Sequence, residues 1–97
     1  MTHSSIALPL AVALEIGQAV EEVQAVFLSF TEKEKLLTIL TIVPLRDSSV
    51  CRKVYAVEQR IIDRYQEFDF AFSVLASNGR APRAVVQNPE MYLAFIR

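Results

Sequence analysis

The sequence predicts an α+β fold: a two-layer sandwich in which two main helices cover a mixed three-stranded sheet, in the order α-β-β-α-β plus a short C-terminal helix. Three observations predict it. Residues 36–43 are apolar almost throughout (Leu36, Leu37, Ile39, Leu40, Ile42, Val43), as in a strand covered on both faces. Residues 48–66 repeat Val50, Val54, Val57, Ile61 and Tyr65 at steps of three and four, the single apolar stripe of a helix. Residues 68–76 alternate, with Phe68, Phe70, Phe72 and Val74 on one face and Asp69, Ala71 and Ser73 on the other. About eight strand residues span roughly 26 Å at ~3.3 Å each, and about nineteen helical residues span roughly 28 Å at ~1.5 Å each. One helix can therefore cross the sheet and return the chain to its start, a right-handed parallel crossover.

The other elements follow in order. Met1–Ser5 reads as a polar, frayed start that leaves His3 without a role. A helix runs to about Glu22, with Pro9 in a first turn that tolerates it. Its polar residues Glu15, Gln18 and Glu22 form a narrow stripe, and nearly everything else is apolar or small. Val23–Phe30 is rich in strand formers and joins the 36–43 strand through a charged hairpin loop, Thr-Glu-Lys-Glu-Lys. After Ala76, Asn78-Gly79 marks a turn, and Ala84–Val86 suits a short edge strand. Asn88-Pro89-Glu90 carries the marks of a helix start, which predicts a short helix over Glu90–Ile96.

Ninety-seven residues make one small α/β domain, 1–97. The hydrophobic fraction is 53%, above the usual ~45–50%, so part of the apolar surface must be exposed or covered by a partner. A net charge of −1 disfavours binding driven by nucleic-acid phosphates, and no nucleic-acid partner is expected. The apolar run Ile6–Val20 lacks a preceding Lys or Arg and is interrupted by Glu15, so it reads as a helix and not as a signal or a membrane span. No membrane partner follows. The single Cys51 excludes an internal disulfide and fits a reducing, cytoplasmic setting as an apolar filler.

Candidate site residues are few. Asp69 and Ser73 share the polar face of the last strand, where Thr38 or Thr41 could join them to hold a metal or accept a proton. A solvent-facing sheet surface is the simpler reading of them, because the strand offers no second carboxylate beside Asp69. Arg46 and Ser48 sit in the turn at the carboxyl end of the first parallel strand, where anions bind in open α/β sheets. Asp47 there reads as the helix cap. The set Arg52, Lys53, Glu58, Gln59, Arg60, Asp63, Arg64 and Glu67 reads as a solvated helix face. No triad, no metal set and no cofactor motif appears, so neither catalysis nor a cofactor is expected.

In topology, about two-thirds of the chain resembles the minimal nucleotidyltransferase domain of the polymerase-beta-like superfamily. Ala25-Val26-Phe27-Leu28-Ser29-Phe30 stands at its Gly-Ser strand, Leu36–Val43 at its Asp-x-Asp strand, and Phe68-Asp69-Phe70-Ala71-Phe72 at the strand bearing its last carboxylate. Asn88–Phe95 is similar to its proline-led closing helix. Leu28 stands where that family has glycine, and no Asp pair occurs between Glu34 and Val43. Only Asp69 of three metal carboxylates remains, so the resemblance implies a non-catalytic relative.

The expected function is a non-catalytic interaction or oligomerisation module, and the alternative is a nucleotide- or anion-binding domain of nucleotidyltransferase type. A small-ligand regulatory domain of ferredoxin-like topology fits the same element order. A homodimer closed through the first helix, by Val12, Ile16, Gly17 and Ala19, would cover the apolar excess. The C-terminal segment folding over that helix through Met91, Tyr92 and Phe95 would cover it as well.

Overall fold

The computed structural model of the chain describes residues 7–97; the expectations for Met1–Ser5 and His3 lie outside them. The elements are α1 (Ala7–Ala19), β1 (Ala25–Thr31), β2 (Leu36–Val43), α2 (Ser48–Arg64), β3 (Asp69–Ala76), α3 (Pro82–Val85) and β4 (Tyr92–Ile96). The strands form one sheet in the order β3-β2-β1-β4. β1 is antiparallel to both β2 and β4, whereas β2 and β3 are parallel through α2. The α+β class and the β-α-β unit thus stand as expected. Four strands replace the expected three.

Two expectations at the C-terminal end are corrected. Residues 92–96, expected in a helix, are strand β4, and residues 82–85, expected near an edge strand, form the short helix α3. Asn88 Oδ1 accepts the Glu90 N–H at 2.9 Å, so the helix-start signature closes a turn and goes no further. Tyr92, Phe95 and Ile96 are good strand residues. Pairing with β1 gives them a ladder that a lone seven-residue helix could not match.

The register sorts the core. Val26, Leu28, Leu37, Ile39 and Val43 face the helices and pack with Val12, Ala13, Ile16, Val54, Val57 and Ile61. α1 lies over β1 and β4 and beside α2, which leans over β3. Ala25, Phe27 and Ile42 occupy the opposite face of the sheet, where Val86 and Met91 from the α3 segment cover one end. The rest of that face, with Ser29, Thr38, Asp69, Ala71 and Ser73, stays open.

α1 is closed within the chain. Val12 and Ile16 are fully buried, and a Cβ on Gly17 would overlap the ring of Phe95 on β4. The Arg97 guanidinium donates to Val23 O at 2.9 Å, to Val20 O at 3.2 Å and to Gly17 O, tying off the carbonyl end of α1. The expected first-helix interface is therefore corrected: Val12, Ile16 and Gly17 have no surface to offer, and Ala19 alone of that set is exposed. The C-terminal segment covers α1 as a strand.

Candidate functional site

Asp69 and Ser73 lie exposed on the open face of β3, with Thr38 on that face of β2 beside Ala71. Four residues of strand separate the carboxylate from the hydroxyl by roughly 13 Å. Thr41 turns the other way: it is fully buried on the helix side, and its hydroxyl has no hydrogen-bond partner. Arg46 and Ser48 lie at the opposite end of β3, lining a groove of about 390 Å³ with Cys51, Arg52 and Tyr55. The four predicted ligand residues do not converge. Among the described residues no three His, Cys, Asp or Glu side chains gather as a metal set would require.

Asp47 is the helix cap, as its position in the sequence suggests. Its Oδ1 accepts from Ser49 N–H at 2.8 Å, Ser49 Oγ at 2.7 Å and Val50 N–H at 3.3 Å. The Ser49 hydroxyl first, then the two amides, hold its carboxyl below the ordinary value. Arg46 spans outward and donates Nη1–H to Val74 O at 3.2 Å.

That bond points to the edge of the sheet. Asp69 N–H donates to Lys35 O and Ser77 N–H to Val43 O, each at 2.8 Å. Odd-numbered residues of β3 thus turn their amide groups toward β2, and Phe70, Phe72 and Val74 turn theirs outward. Among the described residues β3 is the last strand on this side of the sheet. Over eight residues, Asp-Phe-Ala-Phe-Ser-Val-Leu-Ala, it carries one charge, at its first position, and no proline. Edge strands are ordinarily blunted by lysine, proline, a bulge or brevity, and β3 has none of these.

β4, the other edge, is blunted. It has five residues, and its register against β1 shifts at a bulge between Val26 and Phe27.

Aromatic rings line the helix-side rim of β3. Phe30 meets Phe68 edge-on at 5.7 Å, Phe68 meets Phe70 at 6.3 Å, and Phe70 stacks on Phe72 at 5.3 Å. Phe70 and Phe72 are only half-buried. Above them runs the outer flank of α2, where Cys51, Tyr55, Glu58 and Ile62 recur at steps of four and three. The opposite flank faces α1 and the turn after it, through Arg64 Nη1 on Glu15 of α1 at 3.0 Å and Lys53 Nζ on Glu22 of that turn at 2.9 Å. Tyr55 remains 50% and Ile62 39% exposed. One side of the molecule therefore presents a free strand edge, two half-covered phenylalanines and two exposed large side chains together.

Glu58 departs from the expected solvated face. It is 7% exposed, its Oε2 has no hydrogen-bond partner, and burial pushes its carboxyl up to about 7. The sequence held a signal for this: Glu58 follows Cys51 by seven positions and Val54 by four, on the rim of the apolar stripe. Arg64, from the same expected set, is committed to Glu15 of α1, and Lys53 to Glu22 in the turn that follows it.

Searched against models of protein families the chain matches none, and no curated protein matches it.

Proposed function

We propose that this chain is a non-catalytic protein-interaction module that docks its partner by accepting a strand along β3. The observation that carries this reading is the edge itself: eight regular residues, a single terminal charge, and outward amide groups at Phe70, Phe72 and Val74. An added strand takes up those groups in main-chain hydrogen bonds, and neighbouring side-chain surfaces set the choice of partner. Phe70, Phe72, Tyr55 and Ile62 supply that neighbouring apolar surface. Each exposed apolar side chain covered on docking adds favourable transfer free energy, at about 25 cal/mol per Å².

In-cell photo-cross-linking tests it. A photoreactive phenylalanine analogue in place of Ala71, exposed on β3, is expected to give a discrete adduct. The same group in place of Gln59, exposed on the solvent side of α2, is expected to give none. Absence of any adduct from position 71 would overturn the docking strand.

A further inference from the structure

We infer that the strand accepted at β3 is β3 of a second copy, antiparallel about a two-fold axis at Ala71; this rests on the docking-strand reading above. The chain is complementary to itself there and in one register. Centring the axis on Ala71 sets Phe70 opposite Phe72 of the second copy, and Phe72 opposite its Phe70. Both residues turn their amide groups outward, so each pair closes two main-chain hydrogen bonds, four in all.

On the open face the same register sets Asp69 opposite Ser73 of the second copy, twice by symmetry. These are the non-hydrogen-bonded pairs of the ladder, whose side chains stand closest. A carboxylate there meets a hydroxyl that can donate to it. On the helix face four phenylalanine rings gather at the axis, with Tyr55 and Ile62 of the two α2 helices above them.

Sliding the axis to Phe72 loses this match. Asp69 would face Leu75, and the Val74 carbonyl would have to serve Phe70 of the second copy while Arg46 holds it. With the axis on Ala71, Val74 faces Phe68 of the second copy, whose N–H is already given to Tyr65 O, so the Val74 carbonyl stays with Arg46 and only its N–H is left to pair. The guanidinium therefore marks the end of the ladder.

The result is a continuous eight-stranded sheet with the bulged β4 strands at its outer edges. A two-fold contact of this kind closes on itself, so neither β3 edge remains to propagate further.

Sedimentation of the purified chain at tens of micromolar is expected to give twice the 10.9 kDa of one copy. Ala71→Lys, exposed in the single chain, places two ammonium groups face to face and should give folded species of the single mass. Ser73→Asp should weaken the dimer about tenfold or more by setting carboxylates opposite Asp69, and adding Asp69→Lys should restore it. Ala71→Cys keeps the question answerable should the lysine variant not fold. Its Cα atoms would stand about 4.5 Å apart across the axis, so mild oxidation should link two chains, while Gln59→Cys should not link. The buried Cys51 stays silent in this assay.

A natural chain that sediments as one copy overturns the inference, as does a dimer untouched by Ala71→Lys and unlinked by Ala71→Cys. A single-copy natural chain whose photoadduct at position 71 contains a different protein also overturns the second copy, and leaves the docking strand standing.

Discussion

Glu58 is the residue whose behaviour follows most directly from its surroundings. Its folded-state value of about 7 lies above the ordinary 4.5, and the cause is burial alone. Below about pH 4.5 the carboxyl is protonated in both folded and unfolded chains and contributes no difference. As pH rises through the window from 4.5 to 7 the unfolded chain releases its proton first, so the folded state loses stability, and the full loss is present above 7. At ~1.4 kcal/mol per pH unit a full shift corresponds to roughly 3 kcal/mol, lowered by whatever solvent still screens the group. Glu58→Gln is expected to melt at nearly the same temperature at pH 5 and pH 8, whereas the natural chain melts lower at pH 8. Urea titrations at the two pH values check it, and an equal fall in both proteins would remove Glu58 as the cause. The charge of Glu58 marked it as solvent-facing in the sequence, because helical spacing places it at the rim of the stripe and cannot say how far the sheet extends beneath that rim.

At the scale of elements, the chain is legible wherever a segment's own pattern settles its state. The apolar run of β2, the stripe of α2 and the alternation of β3 appear within a residue or two of their predicted ends. β4 was not legible, because Asn88-Pro89-Glu90 caps a helix or closes a turn equally well. The choice falls to Phe95, which fits the space that Gly17 leaves in α1. Gly17 first reads as tolerated or as a close approach of two copies; its partner is β4 of the same chain. Gly17→Ala should therefore destabilise by about 1–3 kcal/mol through overpacking, although alanine is the better helix former by ~1 kcal/mol. Differential scanning calorimetry decides, and a rise in melting temperature would show that Phe95 can move aside. The free edge of β3 was illegible for a different reason. A strand of one charge in eight suits the middle of a sheet as well as its rim, and only strand order tells them apart. Arg46 and Ser48 carried the right residue types at the right end of β2, yet a phosphate-like site also needs freedom for the arginine, and Val74 O already holds it.

For the whole molecule, the apolar surplus in the composition has two destinations. The larger part is absorbed within the chain, by β4 under α1 and by Val86 and Met91 against the far face of the sheet. Of what remains exposed, Tyr55 and Ile62 share one side with the half-buried Phe70 and Phe72, while Leu14, Leu45, Tyr92 and Ile96 stay exposed elsewhere. No helix among the described residues is long and apolar enough to cross a membrane. The α+β class thus follows from local patterns, and the fourth strand and the site follow from how those patterns are joined.

The clasp of Arg97 and Phe95 on α1 bears on the order of events in folding. It joins residues 80 positions apart, so it closes the longest loop among these bonds and gains its hydrogen bonds only after that entropy has been given up. The β1–β2 hairpin and the β2–α2–β3 unit need far shorter loops and can form first, with α1 still searching for its seat. Phe95→Leu is then expected to speed unfolding several-fold and leave the folding limb of the chevron almost unchanged. Stopped-flow urea jumps test this, and a folding rate slowed in proportion to the lost stability would place β4 in the nucleus instead. During synthesis α1 emerges well before the β4 that completes its seat. Until β4 is in place, the part of α1 around Gly17 that seats Phe95 stays in contact with solvent, a surface open to non-native contacts.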